Sequence, residues 1–194
     1  CLVVSLSLGA FDSSGTLEVL YDFGGPVAGF QFDVTGLALT GGSGGAAGAA
    51  GLTVSAGGAT VLGFSFDNSE IAAGSGTLTV LSFSSVTAGS TDLSLGNFGA
   101  VTDASGNVYN TSASGDIAHG DPDCAGDYYG DAENLACGCN DADSCNDCAG
   151  VPNGDSALDD CDVCDGGNAD QDCAGVCFGD SALDDCGVCD GGNA

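Results

Sequence analysis

The residues able to do chemistry cluster near the end of the chain, and they are cysteines and aspartates. Asp147-Cys-Ala-Gly-Val-Pro-Asn-Gly-Asp-Ser-Ala-Leu-Asp-Asp-Cys-Asp-Val-Cys-Asp-Gly-Gly-Asn-Ala169 returns almost unchanged as Asp172 to Ala194, a period of 25. A degenerate copy opens at Asp123-Cys124-Ala125-Gly126. Fixed-period self-similarity marks a repeated structural unit. The copies fall near residues 123–146, 147–171 and 172–194. Eleven of the 12 cysteines lie here: Cys124, Cys137, Cys139, Cys145, Cys148, Cys161, Cys164, Cys173, Cys177, Cys186 and Cys189. The twelfth, Cys1, opens the chain and is free to take the odd one, as is a neighbouring copy. Cysteines in this number read as disulfides in an oxidising compartment and as metal thiolates in a reducing one. Cys161-x-x-Cys164 and Cys186-x-x-Cys189 have zinc-ribbon spacing. The acidic surroundings and the irregular spacing of Cys145, Cys148, Cys173 and Cys177 favour cystines instead.

The carboxylates are the second chemistry. One copy offers Asp147, Asp155, Asp159, Asp160, Asp165, Asn168 and Asp170, and the next offers Asp172, Asp180, Asp184, Asp185, Asp190 and Asn193. Calcium takes about six to eight oxygens from carboxylates, amides and carbonyls. Two carboxylates ~6 Å apart repel by about 0.7 kcal/mol even in water. Bound calcium would relieve that repulsion, whereas a solvated acidic spacer would leave it to salt screening. Calcium is therefore the expected cofactor, although no segment matches an EF-hand loop. Asp12-Ser-Ser-Gly15 and Asp103-Ala-Ser-Gly-Asn107 read as plain turns. Asn110-Thr-Ser112 is an acceptor triplet for glycosylation.

The charge balance excludes several functions. The chain holds no Lys and no Arg against 28 acidic residues, a formal net charge of -28. Nothing can neutralise phosphates, so nucleic acid is excluded as a partner. No stretch approaches ~20 uninterrupted apolar residues, so membrane insertion is not expected. With one histidine and no lysine, the usual nucleophile and acid–base systems are missing, and no enzyme is expected. His119 itself reads as a solvated residue of a linker. The chain has no Trp and only Tyr21, Tyr109, Tyr128 and Tyr129, which weakens glycan recognition but leaves a glycan or surface partner open.

The elements that carry the tail come before it. Residues 1–119 hold 9 acidic residues and one cysteine, against 19 and 11 in residues 120–194, with Pro122 at the seam. The first half alternates apolar and polar residues in short runs punctuated by Gly, Ser, Asn and Asp. The runs are Leu2–Leu8, Thr16–Tyr21, Val27–Val34, Leu37–Leu39, Leu52–Ser55, Thr60–Phe66, Thr77–Phe83, Leu93–Leu95 and Val108–Tyr109. No helical period is evident. The pattern predicts an all-β fold, a jelly-roll or Greek-key β-sandwich, followed by an irregular disulfide-stapled repeat tail. Phe30, Phe32, Leu62, Phe64, Phe66, Leu81 and Phe83 are the expected core.

Gly15-Thr-Leu-Glu-Val-Leu-Tyr21, Val27-Ala-Gly-Phe-Gln-Phe-Asp-Val34 and Gly76-Thr-Leu-Thr-Val-Leu-Ser-Phe83 together resemble a cohesin-type module over roughly residues 2–118. That resemblance implies the jelly-roll fold; cohesins hold dockerins in cellulosomes, and related modules occur in large bacterial surface proteins. The Gly/Ala-rich run from Gly41 to Gly51 departs from the cellulosomal pattern. Asp185-Cys-Gly-Val-Cys-Asp-Gly-Gly resembles cysteine-rich spacers of extracellular matrix proteins and of long marine bacterial surface proteins. The expected function is a secreted, extracellular or cell-surface structural or adhesive protein, a repeat of a filament, stalk or sheath. The alternative is a carbohydrate- or protein-binding module of a secreted complex. Joining Ala194 to a second Cys1 continues the spacer pattern, so the expected partners are copies of itself, in tandem or through edge pairing of Leu2–Leu8.

Overall fold

The computed structural model describes residues 2–191, so Cys1 and Asn193 lie outside the described residues. The chain forms two compact units, residues 1–131 and 132–194. The first unit therefore continues beyond the compositional seam.

Eleven strands and one short helix order the described residues of the first unit. They are β1 Val3–Asp12, β2 Thr16–Phe23, β3 Gly29–Thr35, β4 Leu37–Ser43, α1 Gly45–Ala49, β5 Thr53–Gly57, β6 Thr60–Phe64, β7 Gly74–Val86, β8 Ser90–Ser94, β9 Ala100–Thr102, β10 Asn110–Ser114 and β11 Asp116–Ala118. One sheet runs β10-β1-β2-β7-β4 and the other β11-β8-β3-β6-β5, with β9 also on β3. Neighbours such as β2 and β7 are far apart in sequence, so the chain crosses repeatedly between sheets, as a jelly-roll does. Each pairing of these strands is antiparallel except β1 with β10. That pairing corrects one expectation: β1 lies between β10 and β2, so Leu2–Leu8 is not an edge open to another copy.

The inner faces follow the period of two. Phe30, Phe32 and Val34 of β3 are buried against Leu17 and Val19 of β2 and Leu78, Leu81 and Phe83 of β7 in one continuous core. Three expected core residues face outward instead. Leu62 is 41% exposed, Phe66 is 88% exposed, and Phe64 is only half-buried. The reason is register. Phe30 pairs with Gly63 and Phe32 with Val61, so Val61 and Gly63 are the inward residues of β6. The Phe30 ring occupies the space that a Cβ on Gly63 would need.

Helix α1 carries no sequence signal, because it is five residues of Gly and Ala. Gly45 stands at φ 62, and any Cβ there would overlap the backbone of Leu78. Val108–Tyr109 makes only an isolated bridge, Thr102 with Val108. No helix among the described residues is long and apolar enough to cross a membrane.

Candidate functional site

In the second unit, each 25-residue sequence period contains two structural turns. Four turns obey Asp-x-x-x-Val-x-x-Gly: Asp147–Gly154, Asp159–Gly166, Asp172–Gly179 and Asp184–Gly191. In each, the leading amide donates to the Val carbonyl, at 3.0, 2.9, 3.0 and 2.9 Å. The leading carboxylate then accepts two amides of its own turn. Ala149 and Val151 donate to Asp147, Cys161 and Val163 to Asp159, Ala174 and Val176 to Asp172, and Cys186 and Val188 to Asp184. Amides nine residues on, Ser156, Asn168 and Ser181, reach the second oxygen of Asp147, Asp159 and Asp172. The closing glycine is required because a Cβ at Gly154, Gly166, Gly179 or Gly191 would overlap that oxygen. The seventh residue sits at positive φ: Asn153 and Asp190 at 53°, Asp165 at 52° and Phe178 at 53°. Asn and Asp tolerate this conformation better than other residues with side chains do.

The carboxylates read from sequence as calcium ligands thus have several fates. Asp147, Asp159, Asp172 and Asp184 cap backbone amides. Asp165 accepts from Ala157, and Asp190 from Ala182 and the Ser181 hydroxyl. Asn168 and Gln171 donate to Asp160. Asp155, Asp170 and Asp180 are exposed. The backbone amide of Val151 is the largest influence holding Asp147 below its ordinary pKa; Val163 and Val176 do the same for Asp159 and Asp172. These depressed carboxyls contribute stability above their unfolded value, near 3.8, and lose it as pH falls through the lower folded value. With the intrinsic pH dependence of exchange divided out, the protection of the Val151, Val163 and Val176 amides is expected to hold at about pH 5 and to fall as these carboxylates protonate at acid pH. Equal protection at both would show that the carboxylates do not hold the turns.

Sulfur joins one turn to the next. Cys148 bonds Cys164, Cys161 bonds Cys177 and Cys173 bonds Cys189, each across a sequence separation of 16. The cysteine at the second or third place of one turn meets the sixth place of the next in all three. Consecutive loops therefore overlap, and the chain interlocks from Cys148 to Cys189. Cys137 bonds Cys145. Cys124 and Cys139 are also disulfide-bonded, and Cys186 is an exposed thiol. Cys161 and Cys164 belong to different bridges, so that pair is not a two-cysteine zinc claw. The hydrogen-bonded turns and the bridges replace an oily interior: among the described residues of this unit, only Cys161 is a buried apolar residue.

The sandwich offers a second candidate. Outside the six-stranded sheet lies an open hollow of about 230 Å³ lined by Phe30, Gln31, Leu62, Phe64, Phe98 and Thr102. Phe98 is 84% exposed, and Phe64 and Phe66 meet edge to face at 5.0 Å. Asp67 follows Phe66, and hydroxyl donors Ser69 and Ser65 push its pKa down to about 2. Asp103 follows Thr102 and accepts amide protons from Ser105 and Asn107, closing the turn expected there. The hollow and the exposed ring of Phe98 give this outer face an apolar centre. Asn110 is exposed at the start of edge strand β10.

No protein-family model matches the chain, and no curated protein matches it. Solved structures do resemble its sandwich. A complex of CaCohA2 with a point variant of CaDoc0917, solved at pH 5.5, matches with 18% identity and a TM-score of 0.44, over 59% of this chain and 98% of that one. A non-cellulosomal cohesin from the archaeon Archaeoglobus fulgidus matches with 16% identity and a TM-score of 0.43, over 59% and 89%. The sixth cohesin of scaffoldin B from Acetivibrio cellulolyticus, solved with a Cel5 dockerin mutant, matches with 14% identity and a TM-score of 0.42, over 60% and 97%. The chain is similar to cohesin modules in its jelly-roll sandwich.

Proposed function

We propose that the protein is a non-enzymatic extracellular structural or adhesive component, a docking head on a spacer that resists extension. The interlocked bridges from Cys148 to Cys189 carry this reading. A bridge closing a loop of this size stabilises by about 3 kcal/mol in the chain-entropy model. Disulfides of this density persist outside the reducing cytosol. The lack of Lys and Arg also removes every trypsin site, which suits an exposed fibre. The exposed Phe66 and Phe98 favour a protein partner for the head, whether another protein or a further copy. Calcium enters as a counter-ion for exposed carboxylates such as Asp155, Asp170 and Asp180.

Digestion of the intact chain by an aspartate-directed protease tests the spacer. The oxidised tail is expected to survive about 10-fold longer than the reduced, alkylated tail, because cleavage needs local opening. Millimolar calcium is expected to lengthen that survival further. Equal lifetimes with and without bridges would contradict the spacer; no effect of calcium would remove the ion from it.

A further inference from the structure

The chain's one histidine is not the solvated linker residue its sequence suggests. His119 is 8% exposed. Its Nε2 lies 2.7 Å from Thr91 Oγ1, and its Nδ1 lies 2.8 Å from the Tyr129 hydroxyl. Its backbone amide donates to the Gly89 carbonyl at 2.8 Å. The ring packs on Phe11 at 4.8 Å, on Tyr129 at 5.6 Å and on Tyr128 at 6.5 Å. Tyr129 is the seventh residue of Asp123–Gly130, an outlying copy of the tail turn, and stands at φ 62.

We propose that His119 is an acid-released latch: neutral, it holds residues 120–131 on the sandwich; protonated, it lets them go. Thr91 is fully buried, and its hydroxyl proton has the imidazole as its described acceptor. Thr91 therefore donates to Nε2, which places the ring proton on Nδ1, donating to Tyr129. A second proton on Nε2 turns this contact around. The Thr91 hydroxyl must then accept, and its own proton loses its partner in a site closed to water. Burial works in the same direction, pushing the His119 pKa below its ordinary 6.5.

The groups around the ring do not offset this. Asp12 on β1 is exposed and accepts the Ser14 amide. Asp92 on β8 is exposed and accepts the Ser90 hydroxyl. Asp116 on β11, and Asp121 and Asp127 after it, are exposed. Asp123 accepts the amides of Ala125 and Asp127. Only burial moves the histidine. A histidine whose folded pKa is depressed contributes stability above its unfolded value and loses it as pH falls below about 6.5.

Hydrogen exchange on the oxidised full chain tests the latch, with rates corrected for intrinsic pH dependence. Between about pH 7.5 and 5.5, exchange in residues 119–131 is expected to rise at least 3-fold while β2 and β3 stay unchanged. His119→Gln keeps a donor and an acceptor but cannot titrate, and its exchange is expected to stay flat. The imidazole resonance of the wild-type chain is expected to titrate with a midpoint below about 6.5; that readout needs no variant. A rise under 3-fold, the same rise in His119→Gln, or a midpoint at or above 6.5 would overturn the proposal.

Discussion

Pulled from its ends, the oxidised segment between Cys148 and Cys189 is expected to reach only about 40 Å, and after reduction about 140 Å. The difference follows from connectivity alone. Bridges at Cys148–Cys164, Cys161–Cys177 and Cys173–Cys189 let tension bypass most of the backbone. The shortest covalent path crosses three Cα–Cα spans of 5.5, 5.3 and 5.5 Å, plus the short runs Cys161–Cys164 and Cys173–Cys177. Every other residue of the segment is shielded from force. Single-molecule extension before and after a reductant pulse reads the gain directly, roughly 100 Å at full stretch. A gain near zero would mean that the bridges do not interlock, and the tail would then be an ordinary flexible linker.

Phe32→Ala is expected to cost about 3–5 kcal/mol, enough to consume much of the stability of an ordinary domain. Phe32 is fully buried between the sheets, stacked near Phe30 with ring centroids 5.7 Å apart. Its loss leaves a cavity that the rigid sheets cannot close. The matched control is Phe98→Ala, where the ring is already in water and the expected change is within about 0.5 kcal/mol. Calorimetry of the whole chain checks both, with a fall of roughly 10 °C or more expected for the first. A similar small effect for both would mean that the inner and outer faces are assigned the wrong way round. If Phe98→Ala instead leaves stability intact but weakens capture of a protein partner, the outer face is the docking surface.

That inner and outer assignment is where sequence reasoning reached its limit. Alternation in Phe30-Gln-Phe-Asp-Val34 fixed which side of β3 is buried. The same rule failed on β6, because Leu62, Phe64 and Phe66 are the larger residues of that run and yet lie outside. Only the pairing of Phe30 with Gly63 decides the matter, and pairing is a long-range fact. Three residues of the candidate docking face, Leu62, Phe64 and Phe66, are thus ones that pattern alone assigned to the core. His119 failed for a similar reason: its hydroxyl partners are 28 residues before and 10 residues after it in the chain. In the tail, the 25-residue period was plain, but the 12- or 13-residue spacing of its turns was hidden behind changing neighbours. The recurring Asp, Val and Gly of each turn carried that signal. Cysteine count announced the staples, while their partners depend on which turn stacks on which, and no spacing rule supplies that.

The turn-to-turn staple is most directly tested by mapping the bridges in the purified, unreduced chain. Aspartate-directed cleavage and mass spectrometry should recover linked peptides joining Cys148 to Cys164, Cys161 to Cys177, and Cys173 to Cys189. Recovery of Cys161 joined to Cys164, or of both as thiols holding zinc, would contradict the interlocked bridges and the spacer built on them.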